Sequence, residues 1–292
     1  MNYPLTFSPL TLSCRGQKTV FHRPLVMGIL NATDDSFYDG GRYNTPEALL
    51  AHARLLLEQG ADLLDLGVMS SRPGASMPTP QEEADRLAPL VALLRHELPD
   101  IVLSVDTCRS LPAARAVEAG ADIINDISGG QLDPNMLPTS ASLRVPYILM
   151  HMRGTPATMQ LPENTRYDDI VDDIACYFDE KLNTLHRLGC TDIWLDPGLG
   201  FAKTTEQNHQ LLHRLPELIA RFPEYPMLVA LSNKSMITKQ LPPFPSPTTL
   251  GLPDSEFGTV ALNTVALMGG ASILRVHTPR PTRIAISLLF NQ

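Results

Sequence analysis

The stretch GADLLD at residues 60–65 occurs again, slightly changed, as GADIIN at residues 120–125. In both copies a helix-like segment precedes the glycine, and a short apolar run leads to a polar residue. A glycine directly after a helix fits the left-handed position that caps many helix C-termini. Apolar runs of this length are typical of strands buried on both faces, as parallel strands are. The repeat therefore predicts helices alternating with parallel strands.

Six more segments extend this pattern to eight predicted strands. Two are looser copies of the repeat, GCTDIWLD at 189–196 and GASILR at 270–275, and four are apolar runs at Pro24–Leu30, Ile101–Val105, Pro146–Met150 and Pro226–Leu231. Thr45-Pro46 and Thr79-Pro80 each read as a helix N-cap followed by proline in the first turn. Eight alternations favour either a closed barrel or an open doubly wound sheet. No GxGxxG motif follows the first strand, so we predict a (β/α)8 barrel of the α/β class.

The sequence predicts a single domain over residues 1–292. Residues 1–20 are expected to form a hairpin that covers the bottom of the barrel, with strands at Leu5–Ser8 and Thr11–Cys14. Residues 24–292 then form the barrel. The proline-rich stretch at 241–250 is predicted to be a surface loop after the seventh strand.

Composition excludes several classes of function. The 292 residues carry a net charge of −8, which argues against a nucleic-acid partner, since such binding depends on clustered basic residues. The sequence shows no signal peptide and no apolar run long enough to cross a membrane. The four cysteines form no CxxC pair and read as reduced thiols. We therefore expect a cytoplasmic protein.

Polar side chains stand where the predicted strands end, and in such barrels this is where active sites lie. One alternative is that Asp106 merely caps the next helix; another is that His277 is an ordinary buried histidine. So many polar groups at one end would be costly without a function, because burying them unpaired is unfavourable. The strand ends carry Asn31, Asp65, Asp106, Asn125, His151, Asp196, Ser232, Lys234, Arg275 and His277.

These groups divide by chemistry into two sets. Asp106, Asn125, Asp196 and Lys234 are suited to hydrogen-bond a planar heterocycle. Arg275 and His277 are two positions apart and so point to one face of a strand. Together with Asn31 they are suited to a diphosphate, which usually brings Mg²⁺ through an oxygen ligand. Two polar loops, at 32–43 and 68–80, have the composition of lids that close over a substrate.

At this point the chain resembles dihydropteroate synthase over nearly its whole length. Eight motifs occur in that family's order: MGILNATDDSFYDGG (27–41), DLGVMSSRPGA (65–75), SVDT (104–107), NDISG (125–129), MHMRGTPATMQ (150–160), DPGLGFAKT (196–204), SNKS (232–235) and RVH (275–277). The resemblance implies that the chain condenses 6-hydroxymethyl-7,8-dihydropterin diphosphate with p-aminobenzoate, the molecule that sulfonamides mimic. The products are 7,8-dihydropteroate and diphosphate, in folate biosynthesis. It also implies a homodimer.

The resemblance assigns roles to individual residues. It places Asp106, Asn125, Asp196 and Lys234 on the pterin, and Asn31, Arg275 and His277 at the diphosphate and Mg²⁺, with Asn31 as the metal ligand. It surrounds p-aminobenzoate with Ser71, Arg72, Phe201, Ser232 and Lys234. The expected catalytic residues are Asp106, Lys234, Arg275 and His277. Loss of diphosphate leaves a cation conjugated with the pterin ring, so an SN1-like path is expected, with Asp106 stabilising the cation.

Seven positions depart from the usual family pattern, and the absence of arginine at position 233 matters most because it removes a charge from the site. The departures are Asp34, Val68, Met69, Ser71, Ala230, Asn233 and Thr278. Two alternatives remain open. One is pterin-dependent methyl transfer to a cobalamin protein, which would have no p-aminobenzoate pocket. The other is a catalytically impaired paralogue that only binds pterin.

Overall fold

The computed structural model describes residues 5–32, 45–69, 78–242 and 253–290, and these form ten strands and ten helices. The strands are β1 Leu10–Cys14, β2 Gln17–Phe21, β3 Leu25–Asn31, β4 Leu63–Gly67, β5 Val102–Asp106, β6 Ile123–Asp126, β7 Tyr147–Met150, β8 Ile193–Asp196, β9 Leu228–Val229 and β10 Ile273–Val276. The helices are α1 Pro46–Glu58, α2 Pro80–Glu97, α3 Ser110–Glu118, α4 Met136–Leu143, α5 Ile170–Arg187, α6 Thr205–His213, α7 Leu215–Arg221, α8 Ser235–Thr238, α9 Asp254–Met268 and α10 Pro279–Phe290.

Eight parallel strands form the barrel in the order β8-β7-β6-β5-β4-β3-β10-β9. The two ends of this sheet meet through a parallel bridge between Leu195 and Met227, where the Leu195 N–H donates to the Pro226 carbonyl at 2.9 Å. The predicted (β/α)8 architecture is confirmed. None of the described helices is both long and apolar enough to span a bilayer.

The sequence signals for helix ends are confirmed by the backbone. Thr45 caps α1 through its side chain, and Thr79 forms a capping box with Glu82 at the start of α2. The repeat glycines Gly60 and Gly120 follow α1 and α3 with φ of +96° and +112°. Because residues with a Cβ rarely adopt such angles, glycine at these positions ends each helix and turns the chain into the next strand.

The aspartate at the third position of the repeat holds neighbouring strands together at the amino end of the barrel. Asp62, just before β4, accepts from the Val26 N–H of β3 at 2.8 Å and pairs with Arg23 and Arg283. Asp122, just before β6, accepts in the same way from the Leu103 N–H of β5 at 2.8 Å. The repeated acidic residue is therefore part of the framework and lies at the end opposite the predicted site.

The N-terminal hairpin is present, but one of its predicted strands is wrong. Leu5–Ser8 is not a strand; β1 pairs instead with β2, from Leu10 opposite Phe21 to Cys14 opposite Gln17. Arg15 and Gly16 have φ of 51° and 74°, so they form a tight two-residue turn. Leu12 of β1 is buried against the first residues of the barrel strands, so the hairpin covers the bottom as expected.

The seventh barrel strand is shorter than its apolar run suggests. The prediction was Pro226–Leu231, whereas β9 has only two residues. Pro226 has no N–H to donate to the ladder, and Leu231 already accepts from the Lys234 N–H at 3.2 Å in a turn. The chain therefore leaves the barrel early at this strand, which brings Ser232 and Lys234 to its carboxyl end.

Candidate active site

One row of residues crosses the carboxyl ends of four adjacent strands. Asn31 of β3 is level with Gly67 of β4, Gly67 with Asp106 of β5, and Asp106 with Asn125 of β6. Gly67 leaves a gap in this row: a Cβ there would lie 3.4 Å from the Asn31 Oδ1 atom and 3.5 Å from the Asp106 Cβ. The side chains of Asn31 and Asp106 therefore flank a common space at the mouth of the barrel.

Arg275 of β10 links two carboxylates across the barrel. Its Nε donates to Asp65 Oδ2 at 2.6 Å, and its Nη2 donates to Asp106 Oδ2 at 2.9 Å. Asn125 Nδ2 donates to the same Asp65 oxygen at 2.9 Å. Asp65 is fully buried, so it acts as the hub that orients both Arg275 and Asn125.

The sequence analysis gave Asp65 no individual role. Its position after a buried strand was noted, but its partner Arg275 is 210 positions away. One feature of the sequence does point to Asp65: the two copies of the repeat both end in a polar residue, Asp65 and Asn125. The structure pairs these two residues directly.

Burial sets the protonation of the two charged groups that face the mouth. It raises the pKa of Asp106 to about 7, with Arg275 opposing the shift and Asp65 adding to it. For Arg275 burial acts against the charge, but Asp65 and Asp106 hold its pKa above the ordinary value. The arginine is therefore charged, whereas Asp106 changes its charge close to neutral pH.

Asp196 and Lys234 form the opposite wall. Asp196 Oδ1 accepts from the Gly198 N–H at 2.7 Å, and burial raises the pKa of Asp196 while Lys234 opposes the shift. Lys234 Nζ donates to the Leu199 carbonyl and lies 4.7 Å from the centre of the Phe201 ring. Burial lowers the pKa of Lys234 to about 8, with Asp196 opposing.

A turn after β9 carries Ser232, Asn233 and Lys234. Ser232 Oγ lies 3.0 Å from His277 Nδ1, which brings these two predicted residues together. Asn233 has a φ of +57°, and its side chain donates to the buried Glu256 of α9 at 2.9 Å. Position 233, where the family pattern has arginine, therefore holds a neutral amide tied to a carboxylate. The contact between Glu256 and position 233 was not predicted from the sequence.

The predicted site residues that the structure describes thus form three sets around one mouth. Asp65 joins Arg275 to Asn125, and Arg275 also bonds Asp106; Asp196 and Lys234 interact through their charges, with Phe201 beside Lys234; Ser232 and His277 form the third set. Asn31 stands beside Asp106. Ser71 and Arg72 lie outside the described residues, as do residues 33–44 and 70–77 of the two predicted lids and residues 243–252 of the proline-rich loop.

The donor set fits a magnesium ion that is held mainly by its substrate. Within the described ranges no group of three His, Cys, Asp or Glu side chains is arranged to hold a metal. Mg²⁺ at phosphate sites commonly takes one or two protein oxygens and completes its shell with phosphate and water. The Asn31 amide oxygen, level with the Gly67 gap beside Asp106, would be one such ligand.

Comparison with known proteins agrees with this geometry. The family model described as "Pterin binding enzyme" matches residues 27–277. The dihydropteroate synthase of Synechocystis is 43% identical over 257 residues, which are 87% of this chain and 85% of that protein. A crystal structure of the Yersinia pestis dihydropteroate synthase with a sulfonamide drug complex has a TM-score of 0.84 and 39% identity, covering 96% of this chain and 97% of that one. The Xanthomonas albilineans dihydropteroate synthase with 4-aminobenzoic acid has a TM-score of 0.81 and 37% identity, covering 96% and 97%. The chain therefore belongs to the pterin binding enzymes and, within them, to the dihydropteroate synthase family.

Proposed function

We propose that this protein joins 6-hydroxymethyl-7,8-dihydropterin diphosphate to p-aminobenzoate, releasing 7,8-dihydropteroate and diphosphate in folate biosynthesis. One observation carries the proposal: the Asp65–Arg275–Asp106 network faces Asp196 and Lys234 across a single mouth. The relative from Xanthomonas albilineans was solved with 4-aminobenzoic acid, which is the second substrate proposed here.

The pterin is proposed to lie between the two walls of the mouth. Carboxylate oxygens of Asp106 and Asp196 accept from the amino and ring N–H groups of a pterin, while Asn125 and Lys234 donate to its carbonyl and ring nitrogens. Because Asp65 holds both Asn125 and Arg275, the donors are oriented before the substrate arrives. Such preorganisation lowers the ordering cost of binding.

The diphosphate is proposed to lie beside the pterin, near Arg275 and His277 with Asn31. A guanidinium and an imidazole compensate the negative charge that builds up as the leaving group departs. Mg²⁺ bound through Asn31 would supply further charge compensation on the diphosphate oxygens. His277 is fixed for this by its contact with Ser232.

The reaction is proposed to follow an SN1-like path. The C–O bond to diphosphate breaks with both electrons going to oxygen, which leaves a cation conjugated with the pterin ring. Asp106 supplies the nearby negative charge, and the neutral aniline nitrogen of p-aminobenzoate then attacks the cation. Attack by a neutral amine needs no strong base, because the proton leaves after the new C–N bond forms. Ser71, Arg72, Phe201, Ser232 and Lys234 are the proposed surroundings of p-aminobenzoate.

A second candidate, a paralogue that binds pterin without turnover, is favoured by the amide at position 233. Asn233 cannot offer p-aminobenzoate the fixed charge that arginine would, and it is tied to Glu256. Complementation separates the two functions: a strain without its own synthase should grow without added folate end products when it carries this chain. The Asp106→Asn variant is the matched control and should not support growth. Failure of the wild-type chain, expressed and folded, would favour the paralogue.

We also propose that the protein is a homodimer through α9 and α10. On α10, Ile284 and Leu288 are one turn apart and 53% and 75% exposed, and on the neighbouring α9 Phe257 and Met268 are also exposed. Large apolar groups in this density on two adjacent helices are unusual for a free surface. Sedimentation should give twice the chain mass, and Leu288→Asp should shift the protein towards the monomer. A monomeric wild-type protein would contradict this assembly.

Two further expectations from the sequence stand as proposals: a single domain over residues 1–292 and a cytoplasmic location. All four cysteines are free, and burial raises the pKa of Cys108 to about 12. A thiol with such a pKa is hardly ionised at neutral pH, so it has little nucleophilic character. Cell fractionation checks the location, and limited proteolysis that yields two stable fragments would argue against one domain.

A further inference from the structure

The loop from Asp196 to Ala202, between β8 and α6, carries residues proposed for both substrates. Asp196 belongs to the pterin wall and Phe201 to the p-aminobenzoate surroundings. Gly198, Gly200 and Ala202 all have positive φ, of +69°, +85° and +49°. Within this loop the backbone makes one turn bond, from the Phe201 N–H to the Gly198 carbonyl at 3.0 Å, so side-chain contacts must supply the rest of its support.

Lys203 supplies part of this support from inside the protein, beside Asn208, whose amide oxygen accepts from the Gly200 N–H at 2.6 Å, and Tyr167, whose hydroxyl donates to the Ala202 carbonyl at 2.9 Å. The Lys203 Nζ donates to the Gly198 carbonyl at 3.0 Å and to the Phe201 carbonyl at 3.1 Å, and it lies 3.0 Å from His151 Nδ1. The side chain is 2% exposed. An amine keeps both carbonyl bonds whether it is charged or neutral, because His151 Nδ1 accepts or donates according to its tautomer.

His151 is itself fixed, so the contact with Lys203 has a firm base. The backbone N–H of His151 donates to the Asp196 carbonyl at 2.9 Å. The His151 ring packs edge-on against the Tyr177 ring, with the ring centroids 4.9 Å apart. Gly198 lies directly against it, since a Cβ there would come within 2.0 Å of the His151 carbonyl oxygen. Lys203 and His151 therefore hold the start, middle and end of the loop to β7.

Lys234 holds the other side of the same loop, but it has a second task. It donates to the Leu199 carbonyl, and its stem lies against Gly200. In the proposed function Lys234 also donates to bound substrate, so its N–H donors are divided between Leu199 and the substrate. Lys203 is buried, and its Nζ contacts are the two loop carbonyls and His151.

We infer that Lys203 is a positioning residue: by holding the carbonyls of Gly198 and Phe201 it sets the distance between the pterin group Asp196 and the p-aminobenzoate group Phe201. The inference rests on the proposed function, since it assigns the two ends of the loop to the two substrates. It gives Lys203 no contact with either substrate. Its loss should therefore weaken the binding of both substrates at once.

The test compares Lys203→Met with Lys18→Met, a control on the exposed strand β2. Trp194 is the only tryptophan, is fully buried, and stands two positions before Asp196 on β8. Quenching of its fluorescence by the pterin diphosphate with Mg²⁺ gives the dissociation constant, and initial rates give the KM for p-aminobenzoate. We expect Lys203→Met to raise both constants about tenfold, the factor that corresponds to the net free energy of about one hydrogen bond. The control should change neither.

Thermal unfolding separates positioning from a purely structural role. If Lys203→Met lowers only the melting temperature, and both constants of the folded protein match the wild type, the inference is overturned. If this variant does not fold, His151→Phe and His151→Asn decide. The His151→Asn variant keeps a partner for Lys203 and should retain both affinities, whereas His151→Phe should weaken both. If both variants bind both substrates as tightly as the wild type, the inference is overturned. Absence of dihydropteroate from the wild-type protein would instead count against the proposed function.

Discussion

At the scale of single residues, the site balances the charges of the buried Asp65 and the partly buried Asp106 and Arg275. Arg275 touches Asp65 and Asp106, so with both carboxylates ionised the group carries one net negative charge. That charge lies beside the row where the pterin is proposed to bind, and it favours a developing cation there. Since burial raises the pKa of Asp106, the fold favours the protonated carboxyl, and ionising it costs free energy of folding.

Replacing Asp106 by Asn should therefore separate activity from stability. We expect turnover to fall on the order of a hundredfold, because the charge that stabilises the cation is gone. The free energy of unfolding should change by less than about 1 kcal/mol, since the amide removes a charge that burial disfavours. Diphosphate release and urea unfolding measure the two effects, with the exposed Asp85→Asn of α2 as control. Unchanged turnover in Asp106→Asn would refute the role of this carboxylate.

The same two groups predict a narrow pH optimum. As the pH falls through about 7, Asp106 takes up a proton and loses its charge; as the pH rises through about 8, Lys234 loses its proton and its charge. Both changes remove the active form, so kcat/KM should follow a bell with limbs near those values. In Asp106→Asn the acid limb should disappear while the alkaline limb stays. A flat profile between pH 6 and pH 9 would contradict these protonation states.

The contact between Asn233 and Glu256 predicts how an arginine at position 233 would affect p-aminobenzoate binding. Arginine there would meet the buried carboxylate, so Asn233→Arg alone should change the KM for p-aminobenzoate little. Asn233→Arg with Glu256→Gln should lower that KM severalfold, because the added charge is then free to attract the substrate carboxylate. Glu256→Gln alone is the matched control for the cycle. Additive effects of the two changes would show that Glu256 does not govern this position.

Single residues also show what the sequence reveals of a site. The polar residues at strand ends were predictable, because strand ends of a parallel barrel share one mouth. The roles of Asp65, Glu256 and Lys203 were not predicted, because the contacts of Asp65 and Glu256 join distant parts of the chain and those of Lys203 depend on how its own loop folds back. Asp65 and Arg275, for example, are 210 positions apart.

At the scale of elements, glycines decide where the chain turns, but for two different reasons. Gly189, after α5, has a φ of +85° and open space around the position of a Cβ. Gly198, in the loop after β8, combines a φ of +69° with a backbone oxygen at 2.0 Å from that position. The first glycine is required by conformation alone, the second by conformation and by close approach.

The two glycines give a matched pair of variants. Gly189→Ala should lower the free energy of unfolding by about 1–2 kcal/mol, the cost of a left-handed residue with a Cβ. Gly198→Ala should cost several kcal/mol more and should also weaken pterin binding, because the loop with Asp196 must move away from His151. Urea unfolding and fluorescence titration measure both. Equal costs in the two variants would mean that the close approach of Gly198 is unimportant.

The elements themselves were mostly predictable from local signals. Threonine caps, glycine ends and apolar runs gave the helices and barrel strands, since each signal acts within a few residues. The hairpin was misplaced because β2 is almost entirely exposed and has no apolar alternation. Its real signal was the Arg15-Gly16 turn, a short feature that pattern reading passes over.

At the scale of the whole molecule, the two ends of the barrel differ: structural contacts lie at the amino end and the proposed substrate groups at the carboxyl end. Asp62 and Asp122 bind arginines and strand N–H groups at the amino end, where the hairpin also packs. The groups proposed for substrates lie at the carboxyl end. Eight alternations of helix and strand predicted the closed barrel, whereas the contacts that close it, a two-residue strand and one bridge between Leu195 and Met227, could not be read from the sequence.

The most direct test of the account is diphosphate release by the purified protein with the pterin diphosphate and Mg²⁺, with and without p-aminobenzoate. We expect release that depends on p-aminobenzoate and yields 7,8-dihydropteroate in equal amount. Tight pterin binding with neither diphosphate release nor product would contradict it. That result would mean that the mouth has kept its pterin wall and lost its use of the second substrate.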